Sequence, residues 1–186
     1  MDDAVDGRRA SGSAVSFGAM KRRAWDGQAE NWIGWTRELQ DDAYHDYAPA
    51  FWNGFVPSGA PRALDIGCGE GRSTRDLASR SDRTVGVDGS FALARAAADA
   101  GGDVRYVNAD AARLPFADGS FDLVTAYNVL MDLDDLDASL LELARVLTSE
   151  GVLAVCVLHP FAEAGAFERR EAGARFILQR QLLRRA

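Results

Sequence analysis

Cysteine and histidine are scarce in this chain, which has two of each among 186 residues. Cys68 lies in a glycine-rich stretch and Cys156 in an apolar run, and their spacing fits neither a metal-binding motif nor a disulfide framework. The scarcity predicts a protein without a metal site that works in the reducing cytoplasm. We expect both thiols to behave as small buried apolar groups.

Long apolar segments and an excess of positive charge are also missing. The first twenty residues contain Ser, Gly, Ala and Asp without a sustained apolar run, which argues against a signal peptide or a membrane span. We interpret residues 1–19 as a mobile leader. The net charge of -7 disfavours generic binding to nucleic acids or anionic membranes. The apolar fraction of 47% is nevertheless enough for one globular domain with a core.

A glycine-rich stretch at residues 64–71, Leu-Asp-Ile-Gly-Cys-Gly-Glu-Gly, is the strongest local signal. A short apolar run turns through three alternating glycines into a helical pattern, which is typical of a ligand cradle. Glycine lacks a Cβ, so the backbone can approach a ligand closely, and the N–H groups of the next helix point at the same space. The dinucleotide fingerprint G-x-G-x-x-G differs, because Arg72 stands where its last glycine would be.

Strand and helix patterns alternate after the Pro-Ser-Gly-Ala-Pro breaker at 57–61. This alternation predicts an α/β fold with a doubly wound, mostly parallel sheet and helices on both faces. Ligands bind such sheets beyond the carboxyl ends of the strands, where the strand order reverses. The predicted strands are 62–66, 84–88, 104–107, 121–126 and 152–158. The last strand is apolar on both faces and is therefore expected to be buried. The predicted helices are 73–80, 91–100 and a leucine stripe over 133–147, which Gly151 is expected to end.

Acidic residues follow three of the predicted strands on the same edge of the sheet. Asp65 ends the first strand, Asp88 ends the second and Asp110 follows the third. Asp88 can accept hydrogen bonds from two adjacent ribose hydroxyls, and Asp110 can accept one from a purine amine. Three carboxylates suit a cationic ligand and suit a pyrophosphate poorly. Each acid also has a structural interpretation, as a helix cap for Asp65 and Asp88 or as a turn former for Asp110.

Four motifs in order resemble those of the class I S-adenosylmethionine-dependent methyltransferases, and most closely the methyltransferase type 11 group. The fold that this resemblance implies is Rossmann-like. The resemblance covers about residues 63–158. The motifs are Leu-Asp-Ile-Gly-Cys-Gly-Glu-Gly at 64–71, Gly-Val-Asp-Gly-Ser at 86–90, Asn-Ala-Asp-Ala-Ala-Arg-Leu-Pro-Phe at 108–116, and Ser-Phe-Asp-Leu-Val at 120–124.

The resemblance implies roles for particular residues around the cofactor S-adenosylmethionine. Gly67 and Gly69 would approach its methionine part, and Asp65 would help to place its amino group. Asp88 would bind the ribose hydroxyls, and the adenine would be bound by Asp110 with the Ala111 amide. Asn128, which follows the fourth strand, would line the cleft near the sulfonium. The expected cofactor-binding set is completed by the neighbouring residues Cys68 and Gly89.

Aromatic residues dominate the segment before the breaker, and residues 20–60 are expected to form an N-terminal helical lid. Trp25, Trp32, Trp35 and Leu39 have helical spacing, as have Tyr44, Tyr47, Phe51 and Phe55. These stripes are explained either by core packing or by a lid over a substrate pocket. We assign Trp25 and Trp32 to the acceptor side of the pocket. His159, at the end of the fifth strand, is explained either by a structural role or by contact with the substrate.

The resemblance ends near the fifth strand, at the boundary of the predicted cofactor-binding core, residues 61–160. Class I methyltransferases usually continue with a helix and an antiparallel pair of strands, and this chain apparently lacks that pair. Residues 161–186 are interpreted as a helix or tail. Strand five would then be an apolar edge, which proteins normally cover or pair. Three explanations stay open: the chain is a shortened member of the family, its own tail covers the edge, or a homodimer contact or partner chain completes it.

Methyl transfer to a small-molecule acceptor by in-line displacement is the function that these features predict. Such a reaction depends on positioning, and it needs a protein base only if the nucleophile must lose a proton early. The sequence identifies no catalytic residue, and the acidic cluster at 132–137 is interpreted as complementing a helix dipole. Two alternatives stay open, namely a non-catalytic S-adenosylmethionine-binding protein and a nicotinamide-dependent oxidoreductase.

Overall fold

The computed structural model describes residues 17–38, 44–158, 165–168 and 175–178. Within these ranges, five parallel strands form one sheet. The strand order is β3-β2-β1-β4-β5, and every neighbouring pair is parallel. The order reverses between β1 and β4, which confirms the doubly wound α/β prediction. The strands are β1 (Ala63–Ile66), β2 (Thr84–Asp88), β3 (Arg105–Asn108), β4 (Phe121–Tyr127) and β5 (Leu147–Cys156).

Five α-helices lie beside or before these strands in the part of the chain that the structure describes. They are α1 (Phe17–Glu38), α2 (Tyr44–Gly54), α3 (Arg72–Ala78), α4 (Phe91–Asp99) and α5 (Leu136–Val146), and a short 3₁₀ turn (Leu130–Asp132) precedes α5. Residues 1–16 of the predicted leader lie outside the described residues. Its last three positions, residues 17–19, belong to α1. No described helix combines the length and the apolar character needed to cross a membrane.

The central strand β1 is buried along its whole length, because helices cover both faces of the sheet. On one face, aromatic residues of α2, Phe51 and Trp52, pack with Ala63 and Leu123. On the other face, Leu64 and Ile66 pack in a second cluster that also contains Leu143 of α5. The two clusters hold the strand ends in a fixed register, and those ends carry the predicted site residues.

The aromatic stripe of α2 differs from the prediction. Tyr44 and Phe51 are buried as expected, but Tyr47 is 68% exposed and Phe55 is 74% exposed. The helix ends at Gly54, so Phe55 leaves the helical face, and Trp52 fills the core instead. Most of α2 is therefore core packing, which was one of the two interpretations of these aromatics.

The predicted boundary between α5 and β5 was also wrong. The helix stops at Val146, because Leu147 already pairs with Phe121 in the sheet, and a register shift follows before Val152 pairs with Leu123. Gly151 lies inside the strand and does not end the helix.

Strand β5 forms an edge of the sheet among the described residues, as expected from the end of the resemblance, whereas the prediction that this strand is buried was wrong. Val152, Leu153 and Val155 are 37–42% exposed. Every strand pair of this sheet is parallel among the described residues. The interpretation of residues 161–186 as helix or tail needs correction, because β6 (Gly165–Phe167) and β7 (Phe176–Leu178) form a separate antiparallel pair.

Candidate active site

A cavity of about 910 Å³ lies at the carboxyl ends of the central strands. Its wall includes the loops that follow β1, β2, β3 and β4, together with side chains of α1 and α2. It brings together nearly all of the predicted site residues: Trp25, Trp32, Gly67, Cys68, Gly69, Asp88, Gly89, Asp110, Ala111 and Asn128. This is the position that the strand order predicts for a ligand site.

The glycine loop has the backbone that its spacing predicts. Gly67, Gly69 and Gly71 have φ angles of 68°, 55° and 92°, in the left-handed region that side chains disfavour. A Cβ at Gly67 would also overlap the side chain of Val129. The loop therefore needs glycine for both its conformation and its close packing, and it presents bare backbone to the cavity.

Asp65 does not line the cavity, in contrast to the prediction that it meets a ligand. Its carboxylate is 1% exposed beneath the glycine loop. One oxygen accepts hydrogen bonds from the hydroxyls of Ser73 (2.7 Å) and Thr74 (2.8 Å), and the other accepts one from Thr125 (2.9 Å). Burial raises the pKa of the Asp65 carboxyl to about 6, although the three hydroxyls oppose the shift. The side chain ties β1 to α3 and β4 and positions the loop from below.

Asp88 reaches the cavity from the end of β2. Its two carboxylate oxygens accept hydrogen bonds from the backbone N–H groups of Gly69 and Ser90, both at 2.8 Å. The carboxylate is not the cap of α4, because Ser90 occupies the N-cap position and accepts from the Leu93 N–H. Burial raises the pKa of Asp88, and the two backbone donors oppose the shift. Each oxygen keeps a second acceptor position for a ligand.

Asp110 and Ala111 lie at the turn that follows β3. The side-chain carboxylate of Asp110 accepts a hydrogen bond from the Ala112 N–H (3.0 Å). The backbone carbonyl oxygen of Asp110 accepts one from the Arg113 N–H (2.9 Å). The turn-forming interpretation is therefore correct, and both Asp110 and Ala111 nevertheless line the cavity. The same acid can shape the turn and present an oxygen to a ligand.

Asn128 has the only positive φ angle, 54°, among the described non-glycine residues. Its backbone N–H donates to the Cys156 carbonyl at 2.8 Å, which fixes the end of β4 against β5. Its side-chain oxygen is buried and accepts no hydrogen bond from the described part of the protein. A buried acceptor without a partner is costly, so this oxygen is suited to a donor on a ligand.

Tryptophans of α1 form an aromatic wall of the cavity. The rings of Trp25 and Trp32 are 5.6 Å apart, and those of Trp32 and Trp35 are 5.2 Å apart. The helical stripe in the sequence is thus correct for these three residues, whereas Leu39 lies outside the described residues. Asp26 on the same helix accepts a 2.6 Å hydrogen bond from the Ser90 hydroxyl, which holds α1 against the start of α4.

Several cavity residues were not predicted from the sequence. They include Glu70, Arg72, Tyr44, Tyr127, Met131, Asp132, Asp134 and Cys156. Arg72 could have been suspected, since it directly follows the glycine loop. The acidic cluster is divided, because Asp135 caps α5 by accepting from the Ala138 N–H, whereas Asp132 and Asp134 line the cavity. His159, predicted to contact substrate, lies outside the described residues.

Residues 64–155 match the family model described as Methyltransferase domain. The chain is similar to the demethylmenaquinone methyltransferase of Mycolicibacterium vanbaalenii, with 42% identity over 99 residues. That match covers 53% of this chain and 42% of the relative, so the chain spans less than half of the relative's length.

Two solved structures extend the similarity to the fold. A complex between the Trm112 methyltransferase activator and a methyltransferase of Haloferax volcanii matches with a TM-score of 0.63 and 26% identity, over 72% of this chain and 59% of that chain. An S-adenosylmethionine-dependent methyltransferase of Thermotoga maritima matches with a TM-score of 0.62 and 26% identity, over 73% and 60% of the two chains.

Proposed function

Because this chain carries a domain of the class I S-adenosylmethionine-dependent methyltransferase family, we propose that it transfers a methyl group from that cofactor to a small-molecule acceptor. The observation that carries the proposal is the single cavity that joins the glycine loop, Asp88, Asp110 and Asn128 at the reversal of strand order. The aromatic wall on α1 supplies the remaining side of that cavity.

The residues around the cavity fit S-adenosylmethionine. Gly67 and Gly69 line the cavity without side chains, so the loop presents backbone where an extended ligand tail can lie. Asp88 has acceptor capacity for a pair of ribose hydroxyls, and the buried oxygen of Asn128 lacks a protein donor among the described residues. Carboxylates at the strand ends also favour a positively charged ligand.

We assign the cofactor contacts to Gly67, Cys68, Gly69, Asp88, Gly89, Asp110, Ala111 and Asn128, which all line the cavity. Asp65 would act indirectly, by holding the glycine loop in place. The bound cofactor supplies an electrophilic methyl group. The chain's own contribution is to orient the two reactants and to exclude water from the space between them.

The acceptor side of the cavity favours an apolar, ring-containing molecule. Trp25, Trp35 and Tyr47 line it, and Met131 and Leu133 add aliphatic surface. Aromatic walls bind flat apolar groups through both burial and ring stacking. The name demethylmenaquinone methyltransferase, carried by several relatives, supports an acceptor of this kind.

Ligand-dependent thermal stability tests the cofactor and separates the alternatives. A ligand at about 100 times its dissociation constant adds about 2.7 kcal/mol to the free energy of unfolding. We expect this response to S-adenosylmethionine and to its demethylated product, but not to NADH. A response to NADH alone would favour an oxidoreductase. Cofactor binding without demethylated product across a panel of acceptors would favour a non-catalytic binding protein.

Asp88→Ala tests the site within the cavity. Loss of charge-assisted hydrogen bonds to the ribose should weaken cofactor binding by about 1.5–3 kcal/mol in a calorimetric titration. Asp99→Ala is the matched control, because Asp99 is an exposed carboxylate at the end of α4 that pairs with Arg95 and does not line the cavity. Equal affinity of the wild type and Asp88→Ala would remove Asp88 from the site.

The location and the partners of the protein are proposals as well. We propose that the protein works in the cytoplasm, which the free thiols of Cys68 and Cys156 support. We also propose that a second copy or a partner chain covers the exposed edge of β5. Sedimentation of the wild type and of a Val155→Lys variant would test this, since a charge on that edge should dissociate the assembly.

A further inference from the structure

The loop that joins β3 to β4, residues 109–120, carries Asp110 and Ala111 in its first turn, where both line the cavity. The structure describes the whole loop, and no helix or strand forms within it. At its start, the Ala109 N–H donates a hydrogen bond to the Asp88 carbonyl at 3.1 Å. The position of the first turn therefore also depends on what holds the loop beyond it.

Arg145 of α5 holds the middle of this loop. Its guanidinium donates five hydrogen bonds, as many as it has N–H groups. Two go to backbone carbonyls, those of Leu114 (3.2 Å) and Phe116 (2.8 Å), and a third goes to the Asp118 carboxylate (2.7 Å). The other two go to the two carboxylate oxygens of Glu142, at 2.7 and 2.8 Å.

Glu142 binds the same point of the loop as Arg145. Its carboxylate accepts a hydrogen bond from the Leu114 N–H at 2.8 Å, so both backbone polar groups of Leu114 are bound by one side-chain pair. The two residues are three positions apart on α5, which places them on one face of the helix. The hydrogen bonds from Arg145 and from the Leu114 N–H lower the pKa of Glu142 to about 2, so the pair is charged at neutral pH.

The pair lies on a fixed base and outside the cavity. Leu143 and Val146 of the same helix are fully buried in the core. The described cavity wall includes neither Glu142 nor Arg145. The first turn of the loop, closed by the hydrogen bond from the Arg113 N–H to the Asp110 carbonyl, directly precedes Leu114. A shift of Leu114 would therefore move this turn relative to the cavity.

We propose that Arg145, together with Glu142, is a positioning residue for the adenine of the cofactor. It fixes Leu114, and through the turn before Leu114 it sets where Asp110 and Ala111 present their polar groups. This inference rests on the proposed function, because it takes Asp110 and Ala111 as the adenine contacts. A guanidinium suits the task because its rigid planar fork binds several acceptors in fixed directions, which the ammonium of lysine does not.

A pair of ligands that differ only at position 6 of the purine tests the proposal. The protein is titrated calorimetrically with S-adenosylhomocysteine and with S-inosylhomocysteine, in which an oxo group replaces the amino group. The wild type should bind the adenosyl ligand about 10- to 100-fold more tightly, as expected for a hydrogen bond to a carboxylate. Arg145→Met should reduce this preference to about 3-fold or less, by weakening mainly the adenosyl ligand.

Two more variants separate positioning from stability. Asp110→Ala should abolish the preference, and adding Arg145→Met to it should weaken the adenosyl ligand no further, because both changes remove the same contact. Arg62→Met is the matched control for a lost guanidinium. Arg62 binds the Asp122 carboxylate with two hydrogen bonds of 3.0 Å and does not line the cavity, so its loss should leave the preference unchanged.

Glu142→Gln provides a milder perturbation, since it keeps an acceptor for the Leu114 N–H and removes only the charge. It should give a preference between those of the wild type and Arg145→Met, with unchanged affinity for the inosyl ligand. If Arg145→Met does not fold, this variant carries the test, and a preference equal to that of the wild type would overturn the inference.

Three other outcomes would also overturn it. Equal weakening of both ligands by Arg145→Met, or additive losses in the double variant, would show that the pair only stabilises the fold. A wild type that binds both ligands equally would leave no adenine contact to position, while the proposed function would stand. Failure of the wild type to bind either ligand would overturn the proposed function and this inference together.

Discussion

Asp65→Asn is expected to make this protein more stable at neutral pH, although it alters a buried and fully hydrogen-bonded side chain. The wild-type carboxylate accepts three hydroxyl hydrogen bonds, and no cation contacts it among the described residues. In the variant, the amide oxygen can still accept from Ser73 and Thr74. The Thr125 hydroxyl can rotate to accept from the new NH₂ group and donate to the Leu64 carbonyl, which lies 3.5 Å away.

The size of the effect follows from the pKa of Asp65. Burial raises this pKa from 3.8 to about 6, so folding favours the protonated carboxyl. The stability that this group contributes is complete below the unfolded pKa and is lost as the pH rises through the folded value. A shift of this size corresponds to about 3 kcal/mol in the free energy of unfolding. Asparagine mimics the protonated side chain at every pH.

Urea unfolding of both proteins between about pH 4 and pH 7.5 measures the difference. We expect the free energy of unfolding of Asp65→Asn to exceed that of the wild type by less than about 1 kcal/mol at the acidic limit. At the neutral limit, the difference should reach up to about 3 kcal/mol. Asp65→Ala serves as the control, because it removes the acceptors and leaves three buried hydroxyls without them. Each unsatisfied hydroxyl should lower the free energy of unfolding by about 1–3 kcal/mol.

Two results would refute this reasoning. Parallel stability curves for the wild type and Asp65→Asn would show that the pKa of Asp65 does not change on folding. A wild-type advantage that grows with pH would show that the three hydroxyls stabilise the carboxylate more than burial penalises it, so that its folded pKa lies below 3.8. Either result would also weaken the view that Asp65 only positions the glycine loop.

Two further substitutions test the glycine loop and the attachment of α1. Gly67→Ala should lower the free energy of unfolding by about 2–5 kcal/mol, from left-handed strain and overlap with Val129. Gly101→Ala, with φ of 77° but open space, should lose only about 1 kcal/mol, and equal losses would contradict the role of the overlap. Asp26→Ala should speed hydrogen exchange in α1, because it removes the hydrogen bond to the N-cap serine of α4. Glu30→Ala, which changes an exposed residue of the same helix, should leave exchange unchanged, and equal rates in both variants would refute this attachment.

The order of elements was predictable from the sequence because its signals are local. Apolar residues recur with the period of a helix or a strand, and glycines and prolines mark where each element ends. Parallel strands must also present their carboxyl ends on one edge of the sheet. That rule predicts that Asp88, Asp110 and Asn128 lie along one edge of the sheet. The same logic failed where an element boundary depends on a distant partner, as for Leu147, which joins a strand because Phe121 lies beside it.

Asp65 and Asp88 show the limit of such reasoning most clearly. Both acids follow apolar strand residues and precede a glycine within two positions, so the pattern treats them alike. Only the folded chain separates them, by enclosing Asp65 between hydroxyls of α3 and β4 and leaving Asp88 at the cavity.

The chain's own sequence thus determined the alternation of strands and helices, the bare glycine turn and the acids that follow the strands, since each depends on neighbours within a few residues. Tertiary structure alone decided which carboxylate is enclosed and that Arg72 lies against the Tyr44 ring. Solvation, charge pairing and strand neighbours are set by residues far away in the sequence, and they exist only once the elements have packed.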